Sequence, residues 1–106
     1  MKQTRRQILG TAGAAIFAAN MPLTAKAQGA PVKIGMSMPQ TGGLGAGGQA
    51  ALLALRMWVD DVNAKGGLLG RKVELIAYDD QSNGANTPGI YTKLIDVDKV
   101  DLLIAP

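Results

Sequence analysis

Between Val32 and Ala105 the apolar residues switch repeatedly between two periods, and that alternation restricts the fold more than any other feature of the chain. Val32, Ile34, Met36 and Met38 recur at every second position, the period of a strand with one buried face. From about Gln49 to Ala64 the spacing becomes i, i+3, i+4. Leu52, Leu55, Trp58 (or Val59) and Val62 share one side of a helix, while Arg56, Asp60, Asp61 and Asn63 take the other. Arg56 and Asp60 also stand at the spacing of an i,i+4 ion pair. Lys72–Tyr78 is strand-like again and ends at Asp79-Asp80. Thr87 to about Lys99 returns to a helix, with Thr87 as N-cap, Pro88 at its first position, and Ile90, Leu94, Ile95 and Val97 as its apolar members. Val100–Ala105 is a short, continuous apolar run, the pattern of a strand buried on both faces.

The punctuation agrees with this division. Pro39 closes the first strand, and Gln40–Gly48, rich in glycine, reads as a loop. Lys65-Gly66-Gly67 stops the first helix, with glycine available for a left-handed cap. Each strand-to-strand connection is long enough for a right-handed crossover onto a parallel sheet. The fold class expected is therefore α/β, a β-α-β-α-β start of a doubly wound parallel sheet. Ligands of such sheets bind beyond the carboxyl ends of the strands, and the third of those ends is Pro106 itself. The chain thus reads as the front portion of a longer protein, residues 28–106 forming an incomplete N-terminal lobe.

Composition removes several chemistries. The chain holds no Cys and no His, which excludes zinc fingers, disulfide scaffolds, Ser-His-Asp triads and Cys nucleophiles. The net charge of +3 belongs to the N-terminus: Lys2, Arg5, Arg6 and Lys26 stand there with no acid among them. From residue 28 onward the two signs nearly balance and are scattered. No basic patch with interleaved aromatics suggests a nucleic-acid partner.

Residues 1–27 have the parts of an export signal. A basic start containing Arg5-Arg6 leads into the uncharged segment Ile8–Ala19, and Ala25-Lys26-Ala27 offers small residues for cleavage after Ala27. The twin arginine followed by Ile-Leu is similar to a twin-arginine translocation signal, read by an export translocon. The segment is shorter than the roughly 20 apolar residues of a spanning helix.

Three places could carry chemistry. Gly43-Leu44-Gly45-Ala46-Gly47-Gly48 satisfies G-x-G-x-x-G between a strand and a helix, which suggests a dinucleotide site. Pro39–Gly42 intervenes, however, and Asp79 lies much further on than the roughly 20 residues expected of a ribose carboxylate. Asp79-Asp80-Gln81-Ser82-Asn83-Gly84 has the look of a calcium loop, but Ile90 occupies the twelfth position, where a bidentate Glu belongs. A turn or rim role fits that pair better. Trp58, Tyr78 and Tyr91 fit core or partial core.

Val32–Pro106 closely resembles the opening of the periplasmic branched-chain amino acid (Leu/Ile/Val-binding) class of ABC-transporter solute receptors. The matching pieces are Lys33-Ile34-Gly35, Thr41-Gly42, and Asp61-Val62-Asn63-Ala64-Lys65-Gly66-Gly67-Leu68-Leu69-Gly70-Arg71. Val73-Glu74-Leu75, Tyr78-Asp79-Asp80 and Lys99-Val100-Asp101 complete them. The resemblance implies the first lobe of a type I periplasmic binding protein, two lobes closing on a solute, and delivery to a membrane permease. It implies no enzyme, cofactor or metal. The family often carries an aromatic residue near the end of the first loop, where this chain has Gly47. The ligand-binding candidates are Thr41, Gly42, Gly47 and Gly48, whose loop amides at a helix N-terminus favour an anionic group. A branched-chain amino acid, a small amide, a urea-like solute or an organic acid would suit. The alternative is an exported NAD(P)-dependent oxidoreductase using the same loop.

Overall fold

The computed structural model describes residues 29–106. The export signal, with Arg5, Arg6, Ala25 and Ala27, lies outside the described residues. Three strands form one parallel sheet: β1 (Val32–Met38), β2 (Val73–Asp79) and β3 (Leu102–Ile104), in the order β2-β1-β3. Two helices connect them, α1 (Gly45–Ala64) and α2 (Thr87–Asp96), the second preceded by a 3-10 turn at Gly84–Asn86. The β-α-β-α-β order, the mixed α/β class and the parallel pairing are those expected from the sequence.

Side-chain alternation along β1 sends successive residues to opposite faces and so sorts the helices. Val32 and Ile34 are buried with Val73 against Val59 and Val62 of α1, and Leu68, Leu75 and Ile104 complete that layer. Gly35, one residue along, faces α2: a methyl built on it would lie 2.9 Å from Leu94 Cδ2 and 3.0 Å from Val100 Cγ1. Leu94 is fully buried there. The two helices therefore cover opposite faces of the sheet, as a doubly wound fold requires.

The link from α1 to β2 explains its unusual sequence. The amide of Asn63 mimics a strand partner for the start of β2, donating to Val73 C=O at 2.9 Å and accepting from Val73 N–H at 2.8 Å. Gly67 donates to Val62 C=O at 2.8 Å with φ +81°, and a methyl there would lie on Arg71 C=O. Only glycine fits. Arg71 then reaches back with its guanidinium to the carbonyls of Ala30 and Pro31, at 2.6 and 3.2 Å.

Four expectations need correction. The first helix begins at Gly45 and not near Gln49, so much of the glycine segment is helical. Gly45, Gly48 and Leu52 are its buried residues. They form one stripe, and along that stripe the first turn of α1 approaches the end of β1 at backbone distance. The glycines let the helix in rather than break it. The second helix ends at Asp96, and its N-cap is Asn86, one residue before Thr87. Lys99 adopts φ +54° and Val100 N–H closes on Leu94 C=O, which leaves Ile95 and Val97 largely in solvent. β3 is shorter than expected, and among the described strands it pairs only with β1, with Leu102 and Leu103 about half exposed there. On α1 the ion pair that forms is Asp61–Lys65 at 2.6 Å, not Arg56–Asp60. Both partners are exposed, and it contributes little.

Candidate functional site

The carboxyl ends of β1 and β2 open into two loops, Pro39–Leu44 and Asp80–Asn83, which are fastened together by side chains from the second. Asp79 Oδ1 accepts from Gln40 N–H and Gln81 N–H, each at 2.8 Å, and from Thr41 N–H at 3.3 Å. Its Oδ2 accepts from Thr41 Oγ1 at 2.7 Å. Ser82 adds a second clasp, its hydroxyl donating to Thr41 C=O at 2.7 Å and accepting from Leu44 N–H at 3.0 Å. Asp80 is buried. It accepts from Ser37 Oγ at 2.9 Å and Ser82 N–H at 3.0 Å. The acidic pair thus does the turn-and-rim work expected of it, with its oxygens occupied by N–H and O–H donors rather than aimed outward.

Those donors explain the acidity of Asp79. The N–H of Gln40, then the Thr41 hydroxyl and the Gln81 N–H, stabilise its charged form and lower its pKa from 3.8 to about 2. A carboxylate whose folded pKa is depressed contributes stability above its unfolded value, and that contribution is lost as pH falls through the folded value. The stability gap between the unaltered protein and Asp79→Asn should therefore be complete above pH 4 and close as pH drops toward 2. Urea midpoints measured across that range check this; a gap independent of pH would mean that the charge of Asp79 is not what the loop uses.

The four candidate residues fall into two kinds. Gly42, at φ +81°, has no room for a side chain: a methyl would lie 2.8 Å from Gln81 C=O and from Ser82 Oγ. Gly48 is tighter still, its added methyl falling 1.6 Å from Pro39 C=O. Both are explained by close backbone approach. Gly47, in contrast, has nothing within 4 Å of where its methyl would sit. Thr41 is exposed, but its hydroxyl already donates to Asp79 and offers an incoming group only its lone pairs.

What remains open is the N-terminus of α1. Its N-cap, Leu44, makes no side-chain capping bond, and no acid stands in the first turn. Gly45 N–H turns back to Gly42 C=O, and the helix ladder starts with Gly48 N–H to Leu44 C=O at 3.0 Å. The N–H groups of Ala46 and Gly47 precede that first bond. They point along the helix axis with the positive end of its dipole. Such a terminus at the carboxyl end of a parallel sheet can accept a carboxylate or another oxygen-bearing group.

Sequence reasoning missed Ser37, Ser82 and Gln40, whose roles appear only when the two loops meet. Tyr91 takes the partial-core place expected of it and adds a tie of its own. Half-buried, it donates to Ile104 C=O and accepts from Ser37 N–H at 3.4 Å, closing the ends of β1 and β3 from the α2 side. A concavity among the described residues lies elsewhere. It is an apolar groove of about 440 Å³ on the α1 face along β3, lined by Ile34, Leu55, Trp58, Leu102, Leu103 and Ile104. It offers almost no polar group to orient a solute, so the loop crevice is the better candidate. Trp58, 41% exposed, belongs to that groove and not to the crevice.

The periplasmic binding protein family model matches residues 31–106. No curated protein matches the chain. Among solved structures, the chain is similar to the branched-chain amino acid transporter substrate-binding protein LivJ from Streptococcus pneumoniae, in complex with isoleucine. The identity is 32% and the TM-score 0.68, over 72% of this chain and 22% of that one. It is also similar to a protein from Silicibacter pomeroyi assigned as a branched-chain amino acid ABC transporter, with 41% identity and a TM-score of 0.67, over 71% of this chain and 19% of that one. The chain therefore spans about a fifth of the length of each of these structures.

Proposed function

The chain belongs to the periplasmic binding protein family, and from that premise we propose that it forms the opening of an extracytoplasmic solute receptor serving an ABC transporter. The signal carried by Arg5 and Arg6 directs export through the translocon, and cleavage after Ala27 releases the receptor to the periplasm. There it captures a branched-chain amino acid, or a related amide, urea-like solute or organic acid, and delivers it to a membrane permease. The isoleucine held by the Streptococcus pneumoniae relative supports an amino acid as the first choice.

The observation that carries this reading is the uncapped N-terminus of α1 at the carboxyl end of β1, with the bare edge of Gly47 beside it. Thr41, Gly42, Gly47 and Gly48 build the site in different ways. Gly42 and Gly48 set the backbone path, Gly47 leaves space for the solute, and Thr41 lines the rim. A carboxylate meets the N–H groups of Ala46 and Gly47, where the partial positive charge of the helix favours it. Six residues, Pro39–Leu44, intervene between β1 and α1, where a dinucleotide site needs a tight turn directly after the strand.

Calorimetric titration of the full-length mature protein tests the proposal, using isoleucine, leucine, valine, acetamide, urea and NADH as separate probes. One-to-one binding of an amino acid or small polar solute is expected. Gly47→Ala should weaken it by roughly 1–3 kcal/mol, the scale of one obstructed buried hydrogen bond, without lowering the melting temperature. Binding of NADH, lost in the same variant, would hand the loop to the oxidoreductase instead.

A further inference from the structure

Apart from the first helix bond at Leu44 C=O, the segment Gln40–Leu44 has only two ties to the start of α1 among the described residues: Gly42 C=O accepts from Gly45 N–H at 3.1 Å, and Gln40 C=O accepts from Gln49 Nε2 at 2.7 Å. It contains Gly42 and Gly43, the residue type that loses most conformational freedom on ordering, and its helix is entered without a side-chain cap. The segment's other bonds come from residues some forty positions later, at the end of β2 and just beyond it. Asp79 receives three donors from this segment, the N–H groups of Gln40 and Thr41 and the Thr41 hydroxyl. Ser82 receives Leu44 N–H and returns a bond to Thr41 C=O. Both oxygens of Asp79 are engaged in this way, Oδ1 by three N–H groups and Oδ2 by the Thr41 hydroxyl.

We propose that Asp79 is a positioning residue for solute binding: its carboxylate holds the Gln40–Leu44 segment, and with it the open first turn of α1, in the one arrangement that a solute can meet. The assignment rests on the functional reading of that turn given above. The physical argument is one of populations. A site that is competent only part of the time binds with an affinity reduced by that fraction. Releasing three of the bonds that order a glycine-containing loop lets it sample other paths, whereas β1 and the body of α1 stay in place through the buried layer of Val32, Ile34 and Val73. Asp79 thus prepares the loop before the solute arrives.

The test uses the full-length mature protein with isoleucine as calorimetric probe, and amide hydrogen exchange as an independent readout of the loop. Asp79→Ala should raise the dissociation constant about tenfold, as expected if the competent fraction falls to about a tenth. Exchange should accelerate at Gln40–Leu44 but not within β1. Asp79→Asn should cost only about threefold, because its remaining carbonyl oxygen still accepts the three N–H groups on Oδ1. Thr41→Val should add nothing once Asp79 is Ala, since the two act through one bond. Wild-type affinity in Asp79→Ala, or fully additive losses in the double variant, would overturn the assignment. Gly47→Ala separates the two claims: if it weakens binding while Asp79→Ala does not, the positioning role alone is wrong. If neither weakens binding, the solute site is not at this turn and the assignment falls with it.

Discussion

Gly48→Ala should destabilise the protein by about 3 kcal/mol, at the upper end of what overpacking costs. The added methyl would fall 1.6 Å from Pro39 C=O and 2.7 Å from its carbonyl carbon, both backbone atoms that no rotamer change can move. Either α1 lifts off the end of β1, with Leu52 drawn out of its 3% exposed position, or the chain at Pro39 shifts. Gly47→Ala is the control one residue away. With open space around it and a helical backbone, it should be neutral or stabilise by about 0.5 kcal/mol, the usual advantage of Ala over Gly in a helix. Denaturant midpoints of the two variants in the full-length protein measure the contrast. Equal stabilities would mean that the first turn of α1 does not approach β1 as described.

The same two glycines mark where the sequence was hard to read. Period alone placed the three strands and both helices in their chain order, because Val32, Ile34 and Leu52 obey spacings that burial enforces. Counted as loop formers, the glycines concealed the first turn of α1. Their helical spacing to Leu52 was the available signal, and a helix whose inner face is glycine carries no apolar stripe to reveal it. The exposure of β3 reflects the neighbours present around it. Leu102 and Leu103 have the composition of a doubly buried strand, but burial depends on neighbours, and β3 pairs only with β1 among the described strands. The site divides similarly. Asp79 and Asp80 were legible as the end of a strand and the start of a turn, yet their donors Ser37, Gln40 and Thr41 lie about forty residues earlier. No local pattern announces a bond over that separation.

The second large effect is expected on the other face of the sheet. Leu94→Ala should cost about 2–5 kcal/mol, since the side chain is completely buried and its loss leaves a cavity over β1. Gly35→Ala should cost about 1–2 kcal/mol for the opposite reason, its methyl arriving 2.9 Å from Leu94 Cδ2. Combined, the two changes should cost less than their sum by about 1 kcal/mol, because the new methyl occupies part of the space the leucine vacates. Thermal melts of the two single variants and the double variant close this cycle. Strict additivity would show that Gly35 and Leu94 do not face one another, and would remove the evidence that α1 and α2 cover opposite faces.

The central claim is that the open N-terminus of α1 meets the solute, and the structure of the full-length protein crystallised with isoleucine tests it most directly. The account predicts an isoleucine carboxylate oxygen about 3 Å from the N–H of Ala46 or Gly47, the Thr41 hydroxyl still donating to Asp79, and no contact between the solute and Asp79 itself. Isoleucine seated in the groove beside Trp58, or bound with the first turn of α1 facing only solvent, would contradict it.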